Sequence, residues 1–128
     1  SGGFVVINLR GKKIMRLPRN PRDATPYWRP QFFPDGKEIL CYTPATGPGK
    51  EDVIYRVNLA SGKKTALTLG GSPTLVEHGQ AMVYERRPQE RWTSGAAVKP
   101  DLWRLELKPG AVPHKIVSDA GEPAGQMP

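Results

Sequence analysis

Three stretches of the chain alternate apolar and polar residues and then turn at a glycine. They are Val5-Val6-Ile7-Asn8-Leu9-Arg10-Gly11, Tyr55-Arg56-Val57-Asn58-Leu59-Ala60-Ser61-Gly62 and Trp103-Arg104-Leu105-Glu106-Leu107-Lys108-Pro109-Gly110. A period of two marks a strand with its apolar side chains on one face. Leu9, Leu59 and Leu107 close the three copies at intervals of 50 and 48 residues. Strand-built units that recur every ~40–50 residues are the pattern of propeller blades.

A second pattern precedes each of the last two copies. Pro30-Gln31-Phe32-Phe33-Pro34-Asp35-Gly36-Lys37-Glu38-Ile39-Leu40-Cys41-Tyr42 places Asp-Gly between apolar segments, a strong hairpin signal. Its counterpart, Pro73-Thr74-Leu75-Val76-Glu77-His78-Gly79-Gln80-Ala81-Met82-Val83-Tyr84, lies 43 residues on without a gap. There His78-Gly79 replaces Asp35-Gly36, and the glycine keeps the positive-φ position of the turn.

One unit therefore has strands a (28–33), b (38–43), c (53–59) and d (64–69), and the next repeats this order. The fold class expected is all-β: a partial β-propeller of four-stranded antiparallel blades, c-d, a-b-c-d, a-b-c-d, with ten strands and essentially no α-helix. Residues 1–17 form a half blade, and 18–29 a Pro/Arg-rich connection. Residues 28–69 and 73–117 are full blades, and 118–128 a loop leading to a further blade. Alternation predicts that Ile7, Leu9, Tyr55, Val57, Leu59, Trp103, Leu105 and Leu107 are buried. Asn8, Arg56, Asn58, Arg104 and Glu106 point the other way, with Arg56 and Arg104 partly covered by neighbouring blades. Trp28, Phe32 and Phe33 are expected to pack the innermost strand and its entry.

These residues resemble the TolB-like (WD40-like) β-propeller repeat. That repeat reads P-x-F-S-P-D-G-K-x-I and then D-I-Y-x-x-D-x-x-x-G-x-x-x-x-L-T. Here Pro30 to Ile39 supply the first part; Val53-Ile54-Tyr55-Arg56-Val57-Asn58-Leu59 and Gly62-Lys63-Lys64-Thr65-Ala66-Leu67-Thr68 supply the second. The match spans residues 28–117. Phe33 departs from the usual serine, and Val76-Glu77-His78-Gly79 stands where S-P-D-G is usual. The resemblance implies blade architecture, a role as a docking platform, and a periplasmic or cell-envelope location. Two and a half blades do not close a propeller, which needs at least ~4. The remaining blades are expected from a longer chain or from other subunits.

Composition agrees with short strands and many turns: 14 glycines and 14 prolines in 128 residues leave no room for long helices. No apolar run approaches the ~18 residues of a membrane-spanning helix. The net charge of +7 is uneven. Residues 1–29 hold seven basic side chains (Arg10, Lys12, Lys13, Arg16, Arg19, Arg22, Arg29) against Asp23, whereas the rest is nearly balanced. Such an edge attracts anionic partners, and an acidic partner at residues 10–29 is expected. A solvated basic surface explains the same excess. Nucleic acid is not expected as a partner, because the charge lies on proline-rich chain without a recognition helix or stacking motif. Cys41, alone in the chain, sits in Ile39-Leu40-Cys41-Tyr42 and reads as a small buried hydrophobe.

Candidate chemistry concentrates in the b–c loops, the parts that differ most between units. The second, residues 86–100, carries Arg86, Arg87, Arg91, Trp92 and Lys99. Arg and Trp are enriched at binding hot spots, so these five residues are the candidate binding site, suited to an acidic or extended peptide. The opposing reading is an insertion whose Trp92 folds back over its own sheet. No serine lies in a G-x-S-x-G elbow, His78 and His114 lack partners at metal-ligand spacing, and no phosphate loop is present. The expected function is a noncatalytic protein-interaction or assembly module, without cofactor or metal. Its partners are other chains or the remainder of its own propeller. The alternative is the gating propeller of a prolyl-oligopeptidase-type serine peptidase whose catalytic domain lies outside these residues.

Overall fold

A computed structural model of the chain describes residues 4–17, 27–45, 51–86 and 100–117. They form ten strands: β1 (Phe4–Ile7), β2 (Lys13–Leu17), β3 (Trp28–Phe32), β4 (Glu38–Thr43), β5 (Val53–Asn58), β6 (Lys64–Leu69), β7 (Gly71–Val76), β8 (Ala81–Arg86), β9 (Asp101–Glu106) and β10 (His114–Val117). Among the described residues the only helical element is a single 3-10 turn, Glu77–Gly79. All pairings are antiparallel. β1 and β2 make a two-stranded hairpin, and two four-stranded meanders follow, in spatial order β3-β4-β5-β6 and β10-β9-β8-β7. The chain is thus all-β, built of antiparallel four-stranded sheets with strands where the alternation places them.

The repeated turns rest on repeated chemistry. Asn8 Oδ1 accepts the N–H groups of Arg10 and Lys12 at 2.9 and 3.0 Å, and Asn58 Oδ1 accepts that of Ser61 at 2.9 Å. A side-chain carbonyl at the end of the strand satisfies turn amides that the ladder does not reach. In the 77–79 turn both Glu77 (φ 52) and His78 (φ 56) adopt left-handed backbone before Gly79 (φ 83). A Cβ on Gly79 would lie 2.5 Å from Pro34 Cδ, so this glycine also admits the neighbouring sheet.

Two apolar clusters join three layers. In the first, Val6, Met15 and Leu17 of the hairpin meet Ile39, Cys41, Val57 and Leu59 of the β3–β6 sheet, with Tyr27 between them. In the second, Leu40, Tyr42 and Ile54, on the opposite face of that sheet, meet Met82, Tyr84 and Leu105 of the β7–β10 sheet. Ile39, Cys41 and Val57 correspond by the 43- and 48-residue offsets to Met82, Tyr84 and Leu105. Each four-stranded sheet therefore turns the same repeat positions toward the layer before it. Its alternate positions, Leu40 and Ile54 in the middle sheet, meet the layer after it. This is why β4 is buried at five successive residues instead of alternating.

The same rule corrects two expectations. Ile7 and Leu9 are exposed (57% and 107%), whereas Val6 is buried. The hairpin presents Val6 to the sheet that follows it, and among the described residues no layer precedes it to cover Ile7. In the other two copies Val57, Leu59 and Leu105 are buried as expected, while Tyr55, Trp103 and Leu107 are only half-buried and pack against the clusters. Phe33 is buried, but Trp28 (45%) and Phe32 (58%) are exposed. Phe32 pairs with Ile39 and so faces the hairpin side, where only two strands stand instead of four. Arg56 and Arg104 are half-buried, as expected.

Candidate functional site

The end of β4 with Pro44 and Ala45, the residues entering β5, the 70–72 connection and the end of β8 meet at one end of the gap between the two four-stranded sheets. They enclose a cleft of about 390 Å³ walled by Trp28, Tyr42, Glu51, Asp52, Glu85 and Arg86, among others. The Trp28 and Tyr42 rings meet edge to face, centroids 5.9 Å apart. Arg86 ends β8 here. Its Nε donates to Glu51 Oε1 at 2.9 Å and its terminal nitrogen to Oε2 at 3.3 Å. The Glu51 side chain is only 12% exposed, and its hydrogen bond holds the Arg86 guanidinium above its ordinary pKa. A two-pronged contact of this kind fixes geometry as well as charge. Arg86 thus ties the end of β8 to the loop entering β5 of the other sheet. Arg87, Arg91, Trp92 and Lys99 lie outside the described residues.

The backbone at this end is tightly set. Asp52 Oδ1 accepts the Ala45 N–H at 2.5 Å, and the Asp52 carbonyl accepts that of Gly70 at 2.8 Å. A Cβ on Gly70 (φ 147) would come within 2.5 Å of the Tyr84 ring and 2.9 Å of the Glu85 carbonyl. Only glycine lets the chain pass from one sheet to the next so close to a buried aromatic. Burial also pushes the Tyr84 hydroxyl above its ordinary pKa, the largest influence on it.

Further along the gap, Gln31 of β3 reaches across to β7. Its Nε2 donates to the Pro73 carbonyl at 2.5 Å, and its Oε1 accepts the Leu75 N–H at 3.0 Å. One side-chain amide thereby satisfies a donor and an acceptor of a strand edge in the next sheet. Beyond it, the Arg56 guanidinium stacks 4.2 Å over the Phe33 ring and pairs with Glu38 at 2.7 Å. Glu38 is a partner for this arginine as well as a residue beside the turn. In the last sheet Arg104 bridges Glu77 at 2.6 Å and Glu106 at 2.7 Å.

The hairpin joins the middle sheet through Tyr27. This buried ring packs edge to face against Phe4 and Tyr55, with centroids 6.5 and 6.4 Å away. The Lys64 ammonium donates to its hydroxyl and lies 5.0 Å over its ring. Beside the outer edge of β1, Phe4, Val6, Pro30, Phe32 and Ile39 line a cavity of about 240 Å³. Cys41 lies beneath this region, fully buried, and burial pushes its thiol up to about 12. Thiolate chemistry at neutral pH is thereby suppressed.

Among the described residues, no group of three His, Cys, Asp or Glu side chains is placed to hold a metal ion. No helix among them is long and apolar enough to cross a membrane. No family model, curated protein or solved structure matches the chain. Gln31, Glu51 and Tyr27, which carry the contacts between layers, do not stand out in the sequence. Gln31 fills a variable position of the repeat, Glu51 ends a Gly/Pro-rich loop, and Tyr27 closes the proline-rich connection. Pairing with Leu40 sets Gln31 on the face that meets the next sheet, and no local feature of the sequence marks it.

Proposed function

We propose that the chain is a noncatalytic segment of a β-propeller that works as a protein-interaction or assembly module, with further blades supplied by a longer polypeptide or by other subunits. One observation carries this reading. Positions buried against the preceding layer in two copies of the repeat, Val57 and Leu105, are matched in the first by Ile7, which is 57% exposed. With Val5 and Ile14 (44% and 55%) it forms an apolar sheet face, and such a face in water marks an interaction surface. Among the described residues no strand pairs the outer edge of β1 beside it, which leaves backbone groups for strand addition. Supporting architecture comes from the resemblance to TolB-like repeats, which also suggests the cell envelope. The Arg86 end of the cleft is a second contact surface, where a partner meets aromatic rings and carboxylates.

A photo-crosslinking residue at position 7 of the intact protein tests the reading, with conjugates mapped by mass spectrometry. Conjugates to a further segment of the same polypeptide or to another chain are expected. Position 7 yielding no more conjugate than an exposed turn position of the middle sheet such as Ala60 would remove the basis for it.

A further inference from the structure

We propose that the partner of the hairpin face is a second copy of this chain, docking head to tail through the outward face of its β7–β10 sheet. The inference rests on the assembly reading above and names its partner.

The two internal interfaces obey one rule. Positions such as Ile39 and Val57 meet the preceding layer, and positions such as Leu40 and Ile54 meet the following one. Two faces are then left over among the described residues, and they are opposite halves of that same contact. The hairpin offers Val5, Ile7 and Ile14 on the side that seeks a preceding layer. The β7–β10 sheet offers Val83 and Leu102, both half-buried, at the repeat positions of Leu40 and Ile54. Cross-strand pairing sets Val83 opposite Arg104 and Glu85 opposite Leu102, so these four share the outward face.

Charge favours the same docking. Residues 4–17 carry Arg10, Lys12, Lys13 and Arg16 and no acid. Among the described residues, the outward side of the last sheet gathers Glu77, Glu85 and Glu106 around Arg104. A cationic hairpin and this net acidic face attract each other, whereas two hairpins or two such faces repel. The contact is therefore heterologous: different patches on the two copies, repeating from one chain to the next.

Light scattering across a concentration series tests this on the 128-residue chain. A mass that climbs above 14.1 kDa with concentration is expected. Ile7→Asp on one face and Leu102→Asp on the other should each weaken association by about tenfold or more. Each variant keeps one competent face, so an equimolar mixture of the two should form a dimer and stop there. Circular dichroism melts check that both fold; Ile14→Asp and Glu85→Lys replace any variant that does not. A wild-type chain that stays monomeric, or a mixture that fails to dimerise, overturns the head-to-tail contact. If position 7 then still crosslinks to different polypeptide, the assembly reading stands without it; if it crosslinks to nothing, both fall.

Discussion

The β3–β6 sheet and the β1–β2 hairpin are built on one repeat, yet their apolar residues meet opposite fates. In the middle sheet both faces are covered: Ile39, Leu40, Ile54 and Val57 are each at most 1% exposed. In the hairpin one face is covered and the other leaves Val5, Ile7 and Ile14 at 44–57%. The residue types differ little. What differs is whether a layer stands on each side, so burial here belongs to the stack and not to the strand.

That contrast should dominate stability. At concentrations where the chain is monomeric, Ile54→Ala, in the second cluster, should cost about 2–5 kcal/mol, whereas Ile7→Ala should stay within about 0.5 kcal/mol. Urea unfolding of the two variants measures the difference; equal costs would mean that the hairpin's outer face is packed after all. Next in size is Gly70→Ala, which forces a side chain against the Tyr84 ring at a backbone angle that β-carbons avoid. A loss of about 1–3 kcal/mol is expected, and an unchanged midpoint would show that the crossing between sheets has room.

A smaller effect tests what holds two layers in register. Gln31→Ala leaves the Leu75 N–H and the Pro73 carbonyl without their partner and should cost about 1–2 kcal/mol. Hydrogen exchange should show the Leu75 amide losing protection while β5 amides keep theirs. Loss spread evenly over the molecule would mean that the clamp has no local role.

The smallest effect is confined to alkaline solution. Burial raises the Cys41 thiol from the ordinary value of 9.0 to about 12, so the folded state holds this proton more tightly than the unfolded state. Its contribution to stability is complete below pH 9.0 and falls away as pH rises from there toward about 12. Cys41→Val should remove that share of the alkaline slope. A thiol reagent should modify wild type at neutral pH only as fast as it unfolds, and rapid labelling would place Cys41 nearer the surface.

Strand positions were legible in the chain because period-two alternation, Asp-Gly and glycine turns are local signals. β3, β4, β5 and β6 fall within a residue or so of where the pattern sets them. The fate of Ile7, Leu9 and Phe32 was not legible, since alternation tells which residues share a face and not what lies over it. Arg86 stood out in the chain by type, but its pairing with Glu51, 35 residues away, was not legible. Contacts such as Gln31 to Pro73 and Leu75 join residues of different repeats, and a single sequence holds no local mark of them.

Covering β4 on both faces has a cost that appears only when the sheet opens. Ile39-Leu40-Cys41-Tyr42-Thr43 is a run of uncharged, strand-forming residues without proline or glycine. Released from its neighbours, such a run is a template for intermolecular cross-β stacking. Lys37 and Glu38 stand immediately before it and Pro44 immediately after, and these are the residue types that interrupt fibril growth. The flanking charges and proline confine the most heavily buried strand of the molecule to one productive use.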